Sequence, residues 1–241
     1  MPIELSFAFD FFVVFIAYLI RGIAGFGSGL IAVPLLAIHL PLVIVVPLVV
    51  TLDYLASFSH GLTRQEKIQW GEILPLIPFS FLGIALSLYI LKSSDTKILS
   101  VVLGIFIISF SIYQLLPMQL GRASKAVAIP LGFLGGFVGT LFGTGGAFYV
   151  IYLNLRHLKK NTFRENFAML FLIDGSMRII GYLTKDFYTP QLLTHLLLLI
   201  PVAGLGLYFG GKIHVTISKE RFTRLISAIL FGSGMVLISK V

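Results

Sequence analysis

Two apolar runs of about 30 residues, at 9–38 and 126–155, are each interrupted near the middle by clustered glycines. An unbroken helix of that length would be ~45 Å long, well beyond a hydrocarbon core of ~30 Å. The first break reads Arg21-Gly22-Ile23-Ala24-Gly25-Phe26-Gly27-Ser28-Gly29, the second Gly139-Thr140-Leu141-Phe142-Gly143-Thr144-Gly145-Gly146. The pattern predicts two half-helices joined by a non-helical turn at mid-membrane depth. Such a turn survives there only where protein or a watery cavity satisfies its backbone.

Six further apolar segments lie near 42–61, 72–91, 98–116, 163–183, 191–211 and 222–239, making eight in all. Only 12% of the residues are charged and 57% are hydrophobic, with a mean hydropathy of +1.00. A soluble domain carries about a quarter charged residues. The expected fold is therefore an all-α integral membrane protein, one transmembrane domain over 1–241 whose partner is the lipid bilayer. The linkers are too short for a soluble domain. The net charge of +8 sits mainly in those linkers, where it signals topology and anionic lipid rather than nucleic acid. No cysteine is present, which excludes disulfides and thiol chemistry. The start, Met1-Pro2-Ile3-Glu4-Leu5, lacks the basic region of a secretory signal, so the first run is expected to be retained.

The broken runs also suggest an internal repeat, 1–120 and 121–241. Gly22, Gly29, Val33 and Leu36 match Gly139, Gly146, Val150 and Leu153, all 117 residues on; Asp53 matches Asp174, and Pro78 and Gly83 match Pro201 and Gly206. Paired glycine-interrupted segments in corresponding halves point to a transporter site. Basic residues prefer the cytoplasmic side. Of the 18 Lys and Arg, Arg21 and Arg178 lie within segments. If segments 1 and 5 are re-entrant hairpins, 12 of the other 16 fall on one side, leaving Lys92, Lys97, Lys185 and Lys240 opposite. Eight simple crossings would divide the 16 as 6 and 10. The hairpin arrangement separates charge better. It gives six full crossings, both tails outside, and two inverted four-segment repeats.

Intramembrane charges are costly and usually face a cavity or one another. Asp53 and Asp174 lie near the middles of the second and sixth segments, and Arg178 can pair with Asp174 at i,i+4. That pair reads equally as structural or as coupling and gating; Asp53, with no basic residue three or four positions away in the sequence, reads as the better proton carrier. Around the breaks, Gly25/Gly29, Gly132/Gly136 and Gly135/Gly139 have the spacing of helix packing. Packing alone leaves Ser28, Thr144 and the excess length unexplained. The substrate-binding candidates are Arg21, Gly25, Gly27, Ser28, Gly29, Gly143, Thr144, Gly145 and Gly146. A half-helix starting near Ser28 or Gly145 offers unpaired N–H groups and partial positive charge to an anion, and inverted halves would aim both starts at one central cavity. His39, His60, His157 and His214 at segment ends, and His195, read as interfacial; Arg64, Lys67, Arg156, Lys159 and Lys160 read as surface charges. No metal spacing, cofactor motif or nucleophile–base set occurs, so an enzyme is not expected, and nothing specifies an oligomer.

Gly22-Ile-Ala-Gly25-Phe-Gly27-Ser-Gly29-Leu-Ile-Ala-Val-Pro34-Leu-Leu36 resembles the first signature of the TauE/SafE family, also called the sulfite exporter family. Gly143-Thr-Gly-Gly146, then Tyr149-Val-Ile-Tyr152-Leu153 and Phe163-Arg164, resembles the second. The family often has prolines after the second glycine pair, where this chain has Ala147-Phe148. The resemblance covers nearly the whole chain. It implies a multi-pass permease of the cytoplasmic (cell) membrane for a small anion such as sulfite, an organosulfonate or another organic acid, with protons as the candidate coupling ion. The rival reading is a membrane-embedded subunit or intramembrane enzyme without transport.

Overall fold

The computed structural model describes residues 3–61, 68–116, 121, 123–213 and 219–239. Arg64, Lys67, His214 and Lys240, and the side chains of His60, Lys160 and Arg164, lie outside the described residues. Among those described there is no strand; the chain forms helices α1 (Ile3–Ala24), α2 (Ser28–Leu36), α3 (Leu42–Gly61), α4 (Trp70–Ile73), α5 (Ile77–Ser93), α6 (Thr96–Leu115), α7 (Ala128–Phe142), α8 (Gly146–Leu155), α9 (Lys160–Thr184), α10 (Pro190–Lys212) and α11 (Lys219–Ser239). Among the described residues, five stretches are long and apolar enough to cross a membrane: Phe7–Ala24, Thr96–Leu115, Lys125–Phe142, Glu165–Thr184 and Pro190–Lys212. Leu42–Phe58, Ile77–Ser93, Gly146–Leu155 and Ile226–Ser239 are shorter apolar helices. The third apolar run is divided: Glu72 belongs to the single turn of α4, and α5 begins only at Ile77. Large apolar side chains such as Phe12, Tyr89 and Leu197 are exposed, an outer surface suited to lipid rather than water.

Both long runs break at their glycines. Gly25 and Gly27 have φ of +87° and +98°, a left-handed backbone costly for any residue with a Cβ. Gly143, at φ +65°, ends α7 as a left-handed cap, its N–H bonded to the Gly139 carbonyl at 3.0 Å. α8 starts at Gly146 without the prolines of the family pattern. In each case the second helix packs back along the first. After α2 the chain returns far enough for His39 to meet Asp10 on α1 at 2.8 Å. After α8, Ala123 ahead of α7 donates to the Leu155 carbonyl at 3.2 Å and accepts from Arg156 Nη1 at 2.5 Å.

The chain packs as two units, and neither is a half of the sequence. The first comprises residues 1–45, 94–118 and 190–241. In it α1 packs on α10 through glycine: a Cβ on Gly22 would lie 2.8 Å from the Gly210 Cα, and one on Gly206 2.6 Å from the Phe15 carbonyl oxygen. α6 packs on α11 reciprocally, Gly104 facing Gly234 and Ile238 while Gly234 faces Gly104 and Ile108. α2 rests against α1 and α11.

The second unit comprises residues 46–93 and 119–189. Here α5 packs on α7 where Gly83 meets the backbone of Phe133 and Phe137, Gly132 that of Leu76, and Gly136 that of Ser80. Small residues let helix backbones approach this closely, so the Gly132/Gly136 spacing is packing. α9 lies against α5 and α8. α3 meets α9 where Gly175 faces the Tyr54 ring and Ser176 Oγ donates to Tyr54 Oη at 3.3 Å.

Candidate functional site

In the first unit, the left-handed glycines turn the chain so that α2 starts at Ser28, one residue after Gly27. Arg21 lies in the last turn of α1, and its Nη1 donates to Ser28 Oγ at 2.9 Å. Both side chains are buried, Arg21 with 6% of its surface exposed. The arginine on one side of the break is therefore anchored to the first residue on the other; Gly25 and Gly27 form the turn between them, and Gly29 is the second residue of α2. A planar guanidinium with several donors, held at the positive end of a short helix, forms a receptor for an oxyanion.

The second unit builds the other turn differently. Its guanidinium is Arg178, on α9, which ion-pairs with Asp174 one turn earlier and donates to the Gly135 carbonyl at 3.1 Å. Both side chains are 2% exposed. Gly139 is the notch that admits Arg178, since a Cβ there would collide with the guanidinium, and Gly135 likewise admits the Tyr149 ring. Asp174 Oδ1 accepts from Tyr149 Oη at 2.7 Å and from Ser80 Oγ, and Ser80 Oγ lies 2.9 Å from Tyr149 Oη. Tyr182 Oη donates to the Thr140 carbonyl at 2.8 Å. The predicted i,i+4 pair thus lies within a network that also ties α9 to α5, α7 and α8. Thr144, between Gly143 and Gly145, is buried; its hydroxyl has no hydrogen-bond partner among the described residues. Gly146 packs against Phe171.

Asp53 lies on α3, 4% exposed, and its backbone carbonyl accepts from Ser57 Oγ. Arg156 and Glu72 form a second polar centre, at the end of α8. Arg156 Nε and Nη2 reach Glu72 Oε2 and Oε1 at 2.7 and 3.1 Å; Tyr152 Oη donates to the same carboxylate at 3.2 Å, and Lys125 lies 3.9 Å away. Burial alone would push the Glu72 carboxyl up. The Arg156 hydrogen bonds and charge, with Lys125, outweigh it and hold the group below its ordinary value. Arg156 is raised, chiefly by hydrogen bonding to Glu72.

Several of these groups went unnoticed in the sequence. Arg156 is no free surface charge, its side chain being only 10% exposed. His195 is buried, with Nε2 3.9 Å from Asp10 Oδ2. Asp10, a carboxylate in an apolar run, carried the same intramembrane-charge signal as Asp53. Ser80 and Tyr182 gave no signal, because their partners come from other helices, and Tyr149 entered only through the family signature.

The family model for the sulfite exporter TauE/SafE matches residues 11–237. A protein of Comamonas testosteroni described as "Probable inner membrane transporter protein TsaS" is 23% identical over 195 residues, covering 79% of this chain and 81% of that protein. No solved structure matches. The family, the transporter relative and the five long apolar helices make this a multi-pass membrane protein with a membrane transporter function. With both glycine breaks inside the matched region, the chain belongs to the sulfite exporter TauE/SafE family.

Proposed function

We propose that the protein carries a small oxyanion, sulfite or an organosulfonate or organic acid, across the cell membrane, and that the glycine turns are where the anion binds. The observation that carries this reading is the buried Arg21 held by Ser28 at the start of α2. A guanidinium within a membrane faces a cavity or a charged group. Here it accompanies a helix start whose glycines let an anion approach the backbone. The buried, unpartnered hydroxyl of Thr144 supports the same role for Gly143, Gly145 and Gly146.

Two inverted repeats with re-entrant hairpins belong to this proposal. Three observations support them. Each broken run folds back on itself. Gly83 and Gly206, at matching places in the repeat, serve matching helix pairs, α5 with α7 and α10 with α1. The α6–α11 contact is reciprocal, and so has the form of a pseudo-twofold interface within one chain. Asp53 is the proposed proton carrier, while Asp174 and Arg178 hold the second turn in shape. Asp53→Asn is expected to abolish flux driven by a pH gradient while leaving the fold intact.

The direct test is calorimetry on purified protein with sulfite, an alkylsulfonate and a carboxylate. A charge-assisted hydrogen bond contributes roughly 1.5–3 kcal/mol, so Arg21→Ala is expected to weaken binding by about tenfold to a hundredfold. Arg21→Lys restores the charge without the planar fork and should recover part of the affinity. If folded Arg21→Ala binds as tightly as the parent, Arg21 is not a ligand.

A further inference from the structure

The mouth of the first hairpin holds a buried polar cluster that anion binding does not use. Asp10, 1% exposed on α1, meets His39 just beyond α2: Oδ1 and Nε2 are 2.8 Å apart, an ion-pair contact without aligned hydrogen-bond geometry. From α10, His195 Nε2 lies 3.9 Å from Asp10 Oδ2. Phe7 stacks on the His195 ring and Phe9 packs edge-on against His39.

The surroundings of His195 favour an additional proton in this cluster. Its Nδ1 is 2.9 Å from the Gln191 carbonyl oxygen, a contact that is favourable only if Nδ1 carries hydrogen. A neutral ring in that tautomer turns the Nε2 lone pair toward the Asp10 carboxylate. Two acceptors then face each other in a buried site. One proton on either group converts the contact to an attraction. The electrostatic partners of Asp10 are these two imidazoles. The other described ionisable groups on the helices of this unit are Tyr18 and Arg21 on α1, Lys97 and Tyr113 on α6 with Asp95 at its cap, Tyr208 and Lys212 on α10, and Arg224 on α11; none is among those partners.

The second hairpin gives the comparison. His39 and Arg156 stand 117 residues apart, the offset that matches Gly22 to Gly139; Glu72 and His195 stand 123 apart, the offset of Pro78 and Pro201. Each hairpin mouth therefore bears a polar tie at the end of its second helix, to Asp10 in the first and to Glu72 in the second. The tie at α8 is Arg156 with Glu72, whose charges persist across physiological pH. The tie at α2 uses imidazole, which unlike a guanidinium exists in both neutral and protonated forms.

We propose that Asp10, His39 and His195 form a proton-binding site that clasps the mouth of the first hairpin: protonation draws the end of α2 and the start of α10 onto Asp10, and deprotonation releases them. The second hairpin, tied by arginine, does not respond.

The chain has no native cysteine, so spin labels can be placed on Leu40→Cys and Thr194→Cys in the full-length protein in nanodiscs. The dipolar distance distribution between them is measured at about pH 5.5 and about pH 8. The parent is expected to be narrow at the lower pH and broadened at the higher, with a roughly tenfold change in the closed-to-open ratio, the size of one charge-assisted contact. Asp10→Asn should abolish the difference. His39→Arg, which copies the second hairpin, should stay narrow at both pH values and serves equally if Asp10→Asn does not fold. Glu72→Gln should keep the parent's response. A parent distribution that ignores pH, or a pH response retained by Asp10→Asn or His39→Arg, overturns the proposal. No anion is added, so this result and the anion reading stand or fall separately.

Discussion

Replacing Asp174 by Asn removes one charge and almost no volume. Arg178, 2% exposed, is then left charged with the Gly135 carbonyl and a neutral amide beside it. Breaking a buried ion pair from one side costs about 3–5 kcal/mol, because the remaining charge stays desolvated. Arg178 is 2% exposed and fills the notch at Gly139, so its charge stays away from water unless that contact opens. For a chain of this size ~1 kcal/mol corresponds to about 2–4 °C in Tm, so Asp174→Asn should lower the apparent Tm by roughly 6–20 °C. The assay is thermal unfolding in one detergent at a fixed scan rate, since membrane proteins often unfold irreversibly. Asp174→Asn/Arg178→Gln, which leaves no net charge, should recover part of the loss, with a coupling of about 1–3 kcal/mol. A shift under about 2 °C for the single variant, or strict additivity in the double, would refute the claim that this pair holds the second turn.

Glu72 is held below its ordinary 4.5 by Arg156, so its contribution is present above that value and is lost as pH falls through the folded value. Glu72→Gln should therefore cost about 1–2 kcal/mol near pH 7, with the gap to the parent closing below about pH 4.5, as thermal scans against pH would reveal. Gly22→Leu should force α1 from α10 and cost at least about 1–3 kcal/mol, whereas Gly204→Leu, in open space, should not; detergent melting separates them. Cysteines at positions 39 and 157 should be labelled from opposite faces of the membrane by an impermeant maleimide; labelling from one face would rule out the inverted arrangement.

The breaks at Gly25–Gly27 and Gly143–Gly145 were legible because length and composition conflict there: 30 apolar residues exceed a bilayer, and glycine supplies the backbone that relieves the excess. The Asp174–Arg178 pair was legible because i,i+4 spacing is local. The remainder of its network was not, since Ser80 lies 94 residues from Asp174 and no periodicity links them. Arg156 was misjudged for a related reason. A charge beside a loop looks solvated until the packing brings Glu72 against it. Arg21 and Ser28, seven residues apart across a glycine turn, fell between these cases. Their residue types marked them, and only the turn geometry joined them.

The contact between α1 and α10 also sets a timetable for synthesis. Gly22 and its neighbour Gly210 are separated by 188 residues of chain. At 5–20 residues per second, the first hairpin waits about 10–40 s after emerging before its partner helix exists. During that interval the glycine face of α1 is open, and any small-residue helix nearby can occupy it. α7 meets no such delay, because α5 is already made when it appears. Vectorial insertion therefore finishes the second unit first, although the first begins earlier on the ribosome, and a ribosome stalled before α10 would leave an N-terminal hairpin exposed to mispairing or proteolysis.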